Sequence, residues 1–284
     1  MVLPSEKAFL EKFLLAVWDN RELKKAYCRR FVPFYNQQTL EQNVGQFFDK
    51  LSSYGGYAVR RRLINSIPVR SEDHVLDIGP EMGMECFLLA EVYTKVHVAE
   101  PDATTADLLR GIAEHYYTED RRKASTVLDI RRAGIIPPGS TFLTTNPNEE
   151  PSGLVAFDAR GAVDIGDTFG LRFADRIFCS HIGEIMPAKP QLSVLLSALS
   201  SYCSQIGTIT WCDEVSELSY IAVDYAKHMD YKAKRKEYYD YGASVASCPL
   251  SEIKKYIVEL LPGFTVIFRM LRETGQLFTI AKRY

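Results

Sequence analysis

The sequence lacks the long apolar run that a membrane-spanning helix requires. No stretch approaches the roughly 18 consecutive apolar residues needed to cross a bilayer. Near the N-terminus the charged residues Glu6, Lys7, Glu11 and Lys12 interrupt the hydrophobic ones, so no signal-peptide pattern is present. We therefore expect no membrane partner and a cytoplasmic location.

The chain also has no excess of one charge. Lysine and arginine number 34 against 36 aspartates and glutamates, a formal net charge of -2. Such a balance supplies no global field to hold a polyanion. The basic runs Lys232–Lys236 and Arg60–Arg62 are more typical of solvated helix faces. A nucleic-acid partner is therefore disfavoured, and a small-molecule substrate is expected.

The six cysteines form no C-x-x-C pair. Several lie among apolar residues, as small core side chains do. This pattern indicates a reduced protein, and we assign no metal ligands. Internal repeats and low-complexity segments are absent as well.

What the chain does contain is enough apolar sequence for a full core. With 284 residues, 46% of them hydrophobic, it can form one domain with an appendage. Apolar residues recur at helical spacing from Ser5, a plausible N-cap, to Trp18. Further helices are predicted at 22–31, 40–51 and 56–67. We expect residues 1–68 to form a helical cap or lid.

From Asp73 the pattern changes to short β-rich runs that alternate with helical ones. The predicted strands are 74–78, 95–100, 175–180, 208–213, 265–271 and 276–282. Residues 69–284 therefore predict an α/β fold, a Rossmann-like doubly wound and mostly parallel sheet with an antiparallel final strand. A helical insertion is expected after the fifth strand, at about 217–247.

The third strand is the hardest to place. The segment from Thr126 to Arg172 is rich in proline and must consist largely of loops, yet it has to supply this strand. We assign the strand to Val155–Asp158.

A candidate nucleoside site follows the first two strands. Gly79 and Gly83 allow a tight turn after the first strand, which lets a ligand approach the backbone closely. Glu100 ends the second strand, 23 residues after Asp77. A carboxylate there can accept two hydrogen bonds from a ribose diol. Together these residues predict a nucleoside-binding turn.

This pattern resembles the class I S-adenosylmethionine-dependent methyltransferases, over approximately residues 56 to 282. Their D-x-G-x-G-x-G turn corresponds here to Asp77-Ile78-Gly79-Pro80-Glu81-Met82-Gly83. The resemblance implies S-adenosyl-L-methionine as cofactor, with the turn under its methionine part. It also implies that Glu100 holds the ribose, that Asp102 lies beside the adenosine and that Asp158 faces the adenine. The cofactor-binding candidates are Asp77, Gly79, Pro80, Glu81, Gly83, Glu100, Pro101, Asp102, Asp158 and Ser180.

The turn departs from the family pattern at Glu81, which replaces the middle glycine. A carboxylate at that position would repel the pyrophosphate of a dinucleotide, so it argues against a nicotinamide cofactor. A sulfonium cofactor that carries an ammonium group tolerates it.

The catalytic candidates are His181 and Glu184, which follow the fourth strand in Cys179-Ser180-His181-Ile182-Gly183-Glu184. A histidine titrates near neutrality and can take a proton from the substrate, and Glu184 can orient it or bind a substrate amine. The aromatic residues of the cap and the insertion are lid candidates, because methyl transfer requires aligned reactants and excluded water. The substrate-binding candidates are Tyr35, Tyr54, Tyr57 and Tyr241.

Three functions remain open from the sequence. The first is methyl transfer to an O, N or C nucleophile of a small molecule; the chain lacks the [DN]-P-P-[YF] tetrapeptide of relatives that methylate amide and base amino groups. The second is transfer or cyclisation of the aminobutyrate arm, which releases methylthioadenosine. The third is a non-catalytic scaffold or sensor. The sequence is also compatible with a homodimer.

Overall fold

A computed structural model describes the chain in nine stretches. They are residues 3–31, 56–80, 83–117, 127–135, 163–170, 172–180, 189–214, 250–271 and 276–284. These residues divide into two compact units, the first made of residues up to Gly134 with 163–168, and the second of Ile135 with Phe169–Tyr284.

In the first unit helices come first and strands follow. The elements are α1 (Glu6–Trp18), α2 (Arg21–Phe31), α3 (Gly56–Ile64), β1 (His74–Ile78), α4 (Met84–Ala90), β2 (Lys95–Ala99), α5 (Ala103–Tyr116), β3 (Val127–Arg131), β4 (Ala133–Gly134) and β5 (Val163–Asp164). A short helix, α6 (Ile165–Phe169), leads into the second unit. The strand β1 has the predicted bounds.

The second unit alternates strands and helices and ends in two strands. Its elements are β6 (Ala174–Ser180), α7 (Lys189–Tyr202), β7 (Cys203–Glu214), α8 (Leu250–Leu260), β8 (Phe264–Leu271) and β9 (Gln276–Arg283). Strands β6 and β7 are parallel, whereas β9 runs antiparallel to both β7 and β8. The predicted closing antiparallel pair is therefore confirmed.

The first unit contains three parallel strands in the order β3-β2-β1, and the second contains four in the order β6-β7-β9-β8. Mostly parallel strands with an antiparallel final strand confirm the predicted fold class. The predicted helix at 40–51 and the predicted insertion at about 217–247 lie outside the described stretches. None of the helices in the described stretches is long and apolar enough to cross a membrane.

The third strand lies elsewhere than the sequence predicted. Strand β3 at Val127–Arg131 pairs with β2, from Lys95 opposite Val127 to Ala99 opposite Arg131. The assignment to 155–158 was therefore wrong, and those residues lie outside the described stretches. β3 carries charged side chains at two of its five positions, Asp129 and Arg131, as an edge strand with few buried positions can. This composition concealed it from a search for an apolar run.

An aromatic cluster packs the cap helices onto α4 and α5. Helix α1 begins as predicted, with the Ser5 hydroxyl accepting a hydrogen bond from the Ala8 N–H at 3.3 Å. Its fully buried Phe13 ring has its centroid 5.4 Å from that of Phe87 in α4 and 6.0 Å from that of Tyr27 in α2. The helices at the N-terminus are thus part of the same core as β1–β3.

A partly buried polar contact supports the same packing. The Lys12 ammonium lies 2.6 Å from a Glu91 carboxylate oxygen, which also accepts a hydrogen bond from the Tyr116 hydroxyl at 2.7 Å. The ammonium also lies 3.9 Å from the centre of the Tyr116 ring. One lysine therefore joins α1 to α5 and to the end of α4.

The substitution Phe13→Ala is expected to reduce the free energy of unfolding by about 3–5 kcal/mol, because it leaves a cavity beside the rings of Phe87 and Tyr27. Leu15→Ala is the matched control, since Leu15 lies on the same helix and is 60% exposed. It is expected to change stability by about 0.5 kcal/mol or less. Urea denaturation measures both, and equal losses would show that α1 is not anchored through its aromatic face.

Candidate functional site

The turn after β1 is held against the end of β2 by a backbone hydrogen bond. The Gly79 N–H donates to the Ala99 carbonyl oxygen at 2.9 Å, and Gly79 has a φ of 65°, a conformation that glycine adopts without strain. The buried Pro80 follows, and its carbonyl accepts from the Gly83 N–H at 2.9 Å. The turn thus lies at the carboxyl ends of two adjacent parallel strands, where ligands bind in sheets of this kind.

Gly83 begins α4, and its missing side chain makes room for the protein's own core. It has a φ of 85° and is the N-cap of the helix. A Cβ at this position would lie 2.5 Å from the Leu109 Cδ2 atom of α5 and 3.3 Å from the Phe87 ring. The glycine is therefore needed for close helix packing, besides allowing the turn that the sequence predicted.

Asp77, the fourth residue of β1, is completely buried. Neither of its carboxylate oxygens has a well-formed hydrogen bond to a residue of the described stretches. Burial raises the pKa of this carboxyl well above its usual value. The nearby carboxylates of Glu85 and Glu100 raise it further, while Arg60 and the Ile78 backbone lower it.

Two charged residues near Asp77, Glu85 and Arg60, were not predicted as part of the site. Glu85 lies in the first turn of α4 and is fully buried, and its Oε2 atom lies 3.8 Å from the Nε atom of Arg60 in α3. Arg60 is only 8% exposed, so the interpretation of Arg60–Arg62 as a solvated face is wrong for its first member. The sequence signal for Glu85 was a single acid in the otherwise apolar stretch MECFLLA. Its contact with Arg60 could not be predicted, because the two residues are far apart in the chain.

Glu100 is also fully buried, directly after β2. Its Oε1 atom accepts a hydrogen bond from the Asp102 N–H at 2.9 Å, so the carboxylate is fixed by the chain that follows it. The Glu100 N–H donates to the Arg131 carbonyl at 3.1 Å, and its own carbonyl accepts from Ala133 at 3.2 Å. These contacts hold the residue between β2 and the β3–β4 connection.

Asp102 has a structural role in addition to any contact with a ligand. It is the N-cap of α5, with its Oδ1 atom accepting from the Thr105 N–H at 2.7 Å. The preceding Pro101 is in close contact with Gly134, where a Cβ would lie 2.9 Å from the proline Cβ. The structure thus brings Glu100, Pro101 and Asp102 to the end of β2 where the sequence placed them.

The third strand ends at a basic residue and not at the expected acidic one. The last residue of β3 is Arg131, which donates from its Nε atom to Asp129 at 3.0 and 3.1 Å. The His97 Nδ1 atom lies 3.2 Å from the same carboxylate. Burial alone would raise the pKa of Asp129, but Arg131 and His97 outweigh it and lower the pKa, whereas burial lowers the pKa of His97.

The substrate candidate Tyr57 lies inside the core. It is 2% exposed, its ring centroid is 5.8 Å from that of Phe9, and its hydroxyl donates to the Pro4 carbonyl. These contacts give it a packing role between α3 and the N-terminal segment. A contact between Tyr57 and a substrate therefore stays a prediction.

Several predicted site residues lie outside the described stretches. They are Tyr35, Tyr54, Glu81, Asp158, His181, Glu184 and Tyr241. Ser180 is described as the last residue of β6. The structure therefore brings together Asp77, Gly79, Pro80, Gly83, Glu100, Pro101 and Asp102 of the predicted cofactor set.

No protein-family model matches the chain, and no curated protein matches it. Solved structures with a similar fold include the N-methyltransferase NodS from Bradyrhizobium japonicum in complex with S-adenosylhomocysteine, which has 11% identity and a TM-score of 0.46, with 92% of this chain and 98% of NodS covered. The magnesium protoporphyrin IX methyltransferase of Synechocystis, with S-adenosylhomocysteine bound, has 12% identity and a TM-score of 0.46, with 98% and 100% covered.

A third is a SAM-dependent methyltransferase from Aquifex aeolicus, with 10% identity, a TM-score of 0.43, and 79% of this chain and 89% of that one covered. At these identities and TM-scores the likeness carries no argument about the function of this chain.

The substitution Gly83→Ala is expected to destabilise the protein more than Gly263→Ala. Both glycines have a positive φ, 85° and 83°, so both substitutions strain the backbone by about 1–2 kcal/mol. Only at Gly83 does the added Cβ also meet core atoms, whereas Gly263 has nothing within 4 Å. The overpacking should add about 1–3 kcal/mol, measured by urea denaturation. Equal losses at the two positions would contradict the packing role of Gly83.

Proposed function

We propose that this protein binds S-adenosyl-L-methionine and transfers its methyl group to an O, N or C nucleophile of a small molecule. The observation that carries the proposal is the pair of buried carboxylates, Asp77 and Glu100, at the carboxyl ends of neighbouring parallel strands. The Gly79 turn is hydrogen-bonded to the same strand end. A buried carboxylate such as that of Asp77, whose two oxygens have no well-formed hydrogen bond among the described residues, is costly, and a ligand with donor groups can offset this cost.

Glu100 is the residue proposed to hold the ribose. The Asp102 N–H already fixes its Oε1 atom, and a carboxylate can accept several more hydrogen bonds than that one. Ribose hydroxyls are donors of the required kind. Because Glu100 has no exposed surface, a ligand reaches it only if neighbouring side chains make room.

The methionine part is proposed to lie over the turn of Gly79, Pro80 and Glu81, near Asp77. The carboxylates in and around this turn favour a ligand that carries positive charge, and S-adenosylmethionine has both a sulfonium and an ammonium group. A pyrophosphate would meet three buried acids there, which disfavours dinucleotides. The assignments of Pro101, Asp102, Asp158 and Ser180 to the adenosine side remain part of the proposal.

The chemical step is an in-line displacement on the methyl carbon. The protein's part is to align the nucleophile, exclude water and accept the proton that the nucleophile loses. We propose His181 as the base that takes this proton, with Glu184 orienting it.

Isothermal titration calorimetry with S-adenosylmethionine tests the cofactor site. Glu100→Gln is expected to weaken binding by roughly tenfold to a hundredfold, because it replaces charge-assisted hydrogen bonds to the ribose by a neutral acceptor. Glu72→Gln is the matched control, since Glu72 is an exposed acid that precedes β1. Wild-type protein that does not bind the cofactor would refute the proposal and favour a scaffold role.

Product analysis tests the reaction and the proposed base. Incubation with S-adenosylmethionine and a metabolite extract is expected to yield S-adenosylhomocysteine, detected by mass spectrometry. His181→Ala is expected to lower turnover by about a hundredfold or more near neutral pH with unchanged cofactor affinity. Methylthioadenosine as the product would instead indicate transfer of the aminobutyrate arm, and full turnover of the variant would remove His181 from the mechanism.

A further inference from the structure

Three buried carboxylates surround the base of the turn, and among the described residues one guanidinium is placed to balance them. Asp77 comes from β1, Glu85 from α4 and Glu100 from the end of β2; all three are fully buried. Arg60 of α3 lies 3.8 Å from Glu85. We call these four residues the acid cluster.

The charges of the cluster do not balance if every acid is ionised. Coulombic repulsion between like charges in a buried site is strong, and it is relieved when one carboxyl keeps its proton. For Asp77, both carboxylate oxygens lack a well-formed hydrogen bond to a residue of the described stretches. Burial raises the pKa of Asp77 most, the carboxylates of Glu85 and Glu100 raise it further, and Arg60 lowers it. Burial also raises the pKa of the neighbouring Cys86 thiol, so the thiol stays neutral.

We propose that Asp77 carries a proton when no ligand is bound, and that it releases this proton to solvent when the ammonium group of the cofactor binds beside it. The inference rests on the proposed function and adds a linkage that the function does not require. The balance is simple: the Asp77 carboxylic acid becomes a carboxylate, the proton goes to the buffer, and the carboxylate pairs with the incoming cation.

The cluster favours an organic cation as the exchanging partner. The described residues contain no group of three or more His, Cys, Asp or Glu side chains placed to hold a metal ion. An anionic ligand would add to the negative charge already buried there, and a neutral one would leave Asp77 protonated. A ligand ammonium can instead replace the proton one for one.

The linkage makes cofactor affinity depend on pH with a definite sign. Below the pKa of Asp77 in the ligand-free protein, the cation has to displace a proton, so each lower pH unit weakens binding by up to about tenfold. Above that pKa the dependence disappears. Affinity therefore rises with pH and then levels off, as long as the ligand's own ammonium stays charged.

Calorimetry in buffers of different ionisation enthalpy counts the protons directly. Wild-type protein titrated with S-adenosylmethionine between about pH 5 and 8 should release a number of protons that approaches one at its maximum. Adenosine, which lacks the ammonium, should release none. Asp77→Asn should bind S-adenosylmethionine without proton release, while Glu72→Gln should behave as the wild type.

The outcomes separate this inference from the proposed function. If S-adenosylmethionine does not bind, the proposed function fails. If it binds with no proton release at any pH, or if adenosine releases as many protons, the linkage is overturned and the cofactor site stands. The comparison of the two ligands uses wild-type protein alone, so it decides the question even if Asp77→Asn does not fold.

A second measurement needs no ligand. A carboxyl whose pKa is higher in the folded than in the unfolded protein contributes to stability. The contribution is complete when the pH is below the pKa of the unfolded chain, here 3.8, and it is lost as the pH rises through the pKa of the folded protein. The folding equilibrium constant of the wild type should therefore fall relative to that of Asp77→Asn by up to about tenfold per pH unit in this window. A ratio that does not change between about pH 4 and 8 would show that Asp77 is ionised throughout and would overturn the inference.

Discussion

The candidate site depends on one backbone hydrogen bond, in which the Gly79 N–H donates to the Ala99 carbonyl oxygen at 2.9 Å. It extends the parallel pairing of β1 and β2 by one step, beyond Ile78 opposite Ala99. Asp77 and Glu100 flank this step, so the two acids come to the same end of the sheet. Gly79 adopts the positive φ that the step requires, which a residue with a side chain would adopt only with strain.

Under the proposed function, the acids at this end reduce the stability of the fold and provide the contacts to the ligand. Buried carboxylates lose hydration, and an apolar side chain at Asp77 or Glu85 would suit the surrounding core better. The protein offsets part of this cost locally, through Arg60 beside Glu85 and through the Asp102 N–H on Glu100. Such compensation is typical of sites where activity requires residues that the fold alone would not favour.

Much of the first unit could be predicted because its signals are local. The alternation of short apolar strands and helices predicted the bounds of β1, and Ser5 marked the start of α1. Strand β3 was missed because two of its five residues are charged. Its Asp129 accepts a hydrogen bond from Arg131 and contacts His97 of the neighbouring strand β2, so charged side chains are accommodated at this edge of the sheet. The packing of Tyr57 in the core was not predicted, because a tyrosine in a core helix has the same sequence pattern as one in a lid.

The sequence by itself determined the order of the elements, the glycine turn and the acid after the second strand, since each depends on residues that are close in the chain. Only the tertiary structure decided that Arg60 meets Glu85, that Gly83 makes room for Leu109, and that three acids share one buried region. Burial and electrostatic coupling arise between elements far apart in the chain. Local residue patterns do not contain them, because they depend on which helix faces pack onto which strands.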